Sequence, residues 1–92
     1  MPQPVQYHIV FHGEVQGVGF RFTARELALR YGINGWVRNE PDGTVECVAE
    51  GDRLMLGLFL DDLRDRFRGN LTDIDIDERE AAGTGTGFGV RY

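Results

Sequence analysis

The sequence predicts an α+β domain in which two helices lie on one face of an antiparallel sheet, in the order β-α-β-β-α-β with a short fifth strand. Three observations carry this. Polar and apolar residues alternate in several separate stretches. Two intervening stretches instead repeat apolar residues every three or four positions. Glycines and one Pro-Asp-Gly turn mark where the patterns stop.

Gln6–Gly13 sets Tyr7, Ile9 and Phe11 on one face and His8, Val10 and His12 on the other, which is a strand. From Arg21 the spacing turns helical. Phe20, Ala24, Leu27, Ala28 and Tyr31 share a face, and Gly32 is a natural stop. Ile33–Asn39 reads as a short strand. In Glu40-Pro41-Asp42-Gly43, proline presets the first central φ and glycine closes the turn. Thr44–Glu50 is then the returning arm of a hairpin.

Asp52 can cap a second helix, whose stripe is Leu56, Phe59, Leu60, Leu63 and Phe67, ending at Gly69. Gly57 inside it costs about 1 kcal/mol relative to alanine. Leu71–Arg79 alternates again with Ile74 and Ile76 inward, Ala81–Gly87 is a small flexible connector, and Phe88–Tyr92 is a final strand. This order is the ferredoxin-like split β-α-β plan, read as one domain over residues 1–92. Such a fold hosts many functions, so the chemistry must come from particular residues.

Hydrophobic residues make up 41% of the 92 residues, enough for a small core. The net charge of −5 argues against a general nucleic-acid binder, whose footprint is basic. One cysteine, Cys47, rules out an internal disulfide and a cysteine-based zinc cluster. Within the alternating run TVECVAE it reads as a small buried hydrophobe. The opening MPQPVQYHIVFHG has no charged leader and no apolar run of spanning length. No membrane partner is therefore expected, and a reducing cytoplasmic setting is the default.

The stretch Gly13–Arg21, GEVQGVGFR, joins the first strand to the first helix. Its two inner glycines let the backbone curl and expose successive N–H groups. The helix N-terminus adds unsatisfied donors and partial positive charge, so the two together form an anion site. Arg21 stands at the helix start, where its planar fork can grip two phosphate oxygens. An arginine there opposes the helix dipole, which makes sense where an anion sits between them. On spacing alone, a plain glycine turn is the favoured alternative. The loop is neither a Walker A sequence, having no lysine, nor G-x-G-x-x-G, since Phe22 fills the last position.

Asn39 ends its strand just before the turn, where this fold can bring it towards the first loop. Its carboxamide can both donate to and accept from a water molecule. Taken singly, a strand-end asparagine satisfying turn backbone is the simpler reading.

GEVQGVGFR followed by GWVRNEPDGTVE (Gly35–Glu46) resembles the acylphosphatase family, and the similarity runs through the terminal FGVRY. The resemblance implies hydrolysis of the carboxyl-phosphate bond of acyl phosphates, giving a carboxylate and inorganic phosphate. It implies that Arg21 binds phosphate and Asn39 orients water. It also implies that the backbone N–H groups of Gln16, Gly17, Val18, Gly19 and Phe20 hold the phosphate. No metal and no cofactor are implied. The expected partner is a small-molecule acyl phosphate, and nothing demands more than a monomer. Glu14 departs from the pattern, standing where the family often carries a basic residue, so it adds negative charge beside the anion site. Arg68-Gly69-Asn70-Leu71-Thr72 lacks the Gly-Pro start of many relatives, which puts the register of the following strand in question.

Other features carry less. Asp73, Asp75 and Asp77 lack the glycine and glutamate of a calcium loop and read as a solvated strand face. Gly83–Gly89 is glycine-rich but leads into no helix. His8 and His12 share a face without a third ligand. Trp36 and Arg38 share a strand face and can stack. Two other functions remain open, a non-catalytic phosphate-sensing domain and an RNA-binding module. Against the second stand the charge and the absence of an aromatic cluster on the central strands.

Overall fold

A computed structural model describes residues 4–92. The elements are β1 (Pro4–Gly13), α1 (Phe20–Arg30), β2 (Asn34–Asn39), β3 (Val45–Asp52), α2 (Arg53–Arg66), β4 (Leu71–Glu80) and β5 (Phe88–Arg91). The reading of the first three residues as leader-free lies outside the described residues. Among the described residues no helix is long and apolar enough to cross a membrane.

The sheet order is β4-β1-β3-β2-β5. Its inner rows follow the alternation of the sequence. Ile9 lies between Cys47 and Ile76, Phe11 between Val45 and Ile74, and Val37 is opposite Cys47. Both helices cover this one face. Phe20, Ala24, Leu27 and Ala28 of α1 and Leu56, Phe59, Leu60 and Leu63 of α2 are buried with the inner strand residues. Phe20 is wedged between Phe11 and Phe67, with both ring-centroid distances 4.8 Å. The Asp52 side chain caps α2 by accepting from the Leu54 N–H at 3.1 Å. Cys47 is fully buried, and burial pushes its thiol pKa far up, so it packs as an apolar side chain. β4 begins at Leu71; its pairing with β1 is regular from Asp73 onward, but the register shifts between His12 and Gly13, where Gly13 lies opposite Leu71.

Two expectations need correction. The sheet is mixed, because β5 runs parallel to β2 while the other three pairings are antiparallel. The reason is topological. β4 and β2 lie on opposite sides of the central strands and run in opposite directions, so the end of β4 lies level with the start of β2. A chain that crosses along that end of the sheet must then run beside β2 in the same sense. Ile76 faces inward as expected, but it stays 42% exposed because it lies on the edge strand β4.

The crossing segment is also tied down, although its composition suggested flexibility. The Glu50 carboxylate accepts from the N–H groups of Ala82, Gly83 and Thr84 at 2.7, 3.3 and 3.2 Å. Gln6 Nε2 donates to the same carboxylate at 3.2 Å, and Gln6 Oε1 lies 2.6 Å from His8 Nε2. His12 pairs with Asp75 at 2.9 Å, and no three potential metal ligands cluster among the described residues.

Candidate active site

The loop between β1 and α1 is fixed at its start by a reciprocal clasp. Glu14 N–H donates to the Asn70 carbonyl at 2.9 Å, and Asn70 Nδ2 donates to the Glu14 carbonyl at 3.1 Å. Two residues on, Gln16 Nε2 donates to the carbonyls of Glu40 and Thr44 at 2.7 and 2.9 Å. These carbonyls belong to the β2–β3 turn, directly after Asn39. Between and after the anchors the backbone turns through left-handed glycines, Gly17 at φ 75° and Gly19 at φ 80°. No L side chain adopts that geometry cheaply.

Gly19 is the N-cap of α1 and offers no side-chain acceptor, and no acidic residue lies in the first turn. The first N–H groups of the helix are thus left without a side-chain cap, and the positive end of the helix dipole has no carboxylate in that turn beside it. Such an end suits an external anion.

Gly17, Gly19, Phe20, Arg21 and Asn39 line one pocket of about 140 Å³, together with Val15 and Phe22. Asn39 Oδ1 is buried and has no hydrogen-bond partner among the described residues. An orphaned acceptor of this kind is costly unless a donor such as water satisfies it. Arg21 Nη1 donates to the Arg91 carbonyl at 3.0 Å, and its guanidinium lies 4.8 Å from the Tyr92 ring centroid. Arg91 is itself stacked on Trp36, 4.4 Å from the ring centroid, with Arg38 stacked on the same ring at 5.2 Å. The end of β5 therefore steadies the arginine through its backbone while its own side chain is held by β2.

The structure thus brings Arg21, Asn39 and most of the predicted loop to one place. Gln16 and Val18 do not line the pocket. The Gln16 carboxamide is directed into the hairpin turn, and Val18 is 43% exposed. Sequence reasoning missed Val15, Phe22, Arg91, Tyr92 and the tether made by Gln16. Only Phe22 left a signal, as a large apolar residue off the buried stripe of α1.

A larger groove, about 510 Å³, lies between α2 and β4. Its arginines are already paired, Arg64 with Asp61 and Arg68 with Asp65, and it has no orphaned acceptor. Size alone does not mark the site.

The family model described as Acylphosphatase matches residues 7–90. An acylphosphatase of Thermococcus kodakarensis is 56% identical over 48 residues, 52% of this chain and 53% of that protein. The match thus spans about half the length of that relative. An acylphosphatase of Haloarcula marismortui is 40% identical over 86 residues, 92% of this chain and 93% of that one. Among solved structures, the acylphosphatase from Bacillus subtilis superposes with a TM-score of 0.87 at 33% identity, covering 96% of this chain and 99% of its own. The chain belongs to the acylphosphatase family.

Proposed function

We propose that this chain, as one domain, hydrolyses the carboxyl-phosphate bond of acyl phosphates, releasing a carboxylate and inorganic phosphate. The observation that carries the reading is the pocket itself. It sets Arg21 and an uncapped, glycine-turned helix start beside a buried asparagine oxygen that lacks a partner.

An acyl phosphate is a mixed anhydride. Its leaving group is a carboxylate, whose conjugate acid has a pKa of about 4, so it departs without a general acid. What the transition state needs is charge stabilisation on the phosphoryl oxygens and a nucleophile in line with the leaving group. In this reading Arg21 and the N–H groups of the Gln16–Phe20 loop, of which Gly17, Gly19 and Phe20 line the pocket, supply the first. Asn39 supplies the second by holding a water through its free oxygen. Asparagine is no base at neutral pH, so the water proton passes to a phosphate oxygen of the substrate.

For Arg21 to turn onto phosphate, it gives up one hydrogen bond to a neutral carbonyl and its contact with the Tyr92 ring. Phosphate offers the guanidinium an opposite charge and two oxygens for a bidentate grip, neither of which a carbonyl provides. The reading further takes the enzyme as a cytoplasmic monomer that needs no metal. Benzoyl phosphate is the test substrate. Release of benzoate and phosphate at a rate unchanged by a chelator, from protein that elutes at monomer mass, is the expected result. Phosphate binding without turnover would instead identify a sensor.

A further inference from the structure

The pocket carries one large side chain that the proposed chemistry leaves without a task. Its volume, about 140 Å³, compares with about 30 Å³ for one water in the liquid. A phosphoryl group and an attacking water fill such a space, so the acyl group must project through the mouth. In-line attack sends that group away from the water on Asn39.

Most of the remaining lining has nothing to offer it. Val15 and Phe20 are 1% exposed, Gly17 and Gly19 have no side chain, and Arg21 is assigned to phosphate. Phe22 alone both lines the pocket and presents a large apolar surface, at 61% exposure. It stands off the buried stripe of α1, which runs through Phe20, Ala24, Leu27 and Ala28, so core packing does not require it. Val18, on the loop between the two lining glycines and four residues before Phe22, exposes a further apolar side chain.

We propose that Phe22 is the surface on which the acyl group lies, so that the enzyme favours aromatic and extended apolar acyl phosphates over small ones. The inference rests on the acyl phosphate reading above. A flat aromatic acyl group can stack on the exposed ring, whereas an acetyl group is too short to cover it. The contact lies away from the breaking bond and is the same in ground and transition states. It therefore lowers KM without changing kcat.

The experiment compares kcat and KM for benzoyl phosphate and acetyl phosphate in wild type, Phe22→Ala and Phe22→Leu. Phe22→Ala is expected to raise KM for benzoyl phosphate about tenfold, in keeping with loss of an aromatic contact. KM for acetyl phosphate and kcat for both compounds are expected to stay within about twofold of wild type. Phe22→Leu should recover part of the loss, and it preserves the comparison if the alanine variant does not fold. An equal rise in KM for both compounds, or no rise for benzoyl phosphate, would overturn the assignment. Wild-type protein that turns over neither compound removes the hydrolase reading, and this inference with it.

Discussion

Asn39 holds a buried oxygen that nothing among the described residues satisfies, and Arg21 holds a charge met by a neutral carbonyl and an aromatic ring but by no anion among the described residues. Neither arrangement is what stability alone would select, since each side chain gains more from a partner it does not have. Their replacement should therefore cost little stability and much activity. For Asn39→Ala and Arg21→Ala, kcat on benzoyl phosphate should fall at least about 10²–10³-fold, the usual effect of removing one transition-state donor. The urea midpoint should move by less than about 1 kcal/mol equivalent. A variant that kept wild-type kcat would dismiss the role given to that residue. Glu14 is also intelligible at this scale. Its backbone carries both bonds of the clasp with Asn70, so its place in the loop does not depend on its side chain.

Between elements, the most consequential contact is the Gln16 tether. It bridges the β1–α1 loop to the β2–β3 turn, and so links the part that would hold phosphate to the part that would hold water. Gln16→Ala takes one donor from each of two carbonyls, although Thr44 O still accepts from Glu40 N–H at 2.9 Å and Glu40 O from Gly43 N–H at 3.1 Å. We expect a stability loss of about 1–2 kcal/mol. A fall of about tenfold in kcat should accompany it, because Asn39 is no longer held in register with the loop. Gln16→Glu should be worse on both counts, since it sets a carboxylate against two carbonyls beside an anion site. Urea titration and steady-state kinetics on the two variants check this. The tether also shows where sequence reading stops. Strand alternation and helix stripes are local, and they located every element to within a few residues. A long paired motif is what singles out Arg21 and Asn39 as candidates, whereas spacing alone favours a plain turn for the loop. The partners of Gln16, the bonds from Glu50 to residues 82–84 and the parallel placement of β5 all join residues far apart in sequence. Composition and periodicity hold no record of them.

Across the whole molecule, Glu50 organises the closing of the chain. Burial alone would push its carboxyl pKa up, but three backbone N–H groups and Gln6 together hold it below its ordinary value. A carboxyl depressed in the folded state contributes stability above its unfolded pKa of about 4.3. That contribution is lost as pH falls through the lower folded value. Glu50→Gln should cost about 2 kcal/mol at neutral pH, since it replaces charge-assisted bonds with one neutral acceptor. The gap from wild type should shrink below about pH 4.3, which denaturant melts across pH would show. The route of the chain past Glu50 also bears on the order of assembly. β5 docks against β2 more than half the chain away, and its last residue carries the carbonyl that steadies Arg21. Local helices form in microseconds, whereas contacts across such a loop come late. The arginine is thus set in place by one of the last segments to find its partner, so in a refolding chain catalytic competence trails the appearance of secondary structure.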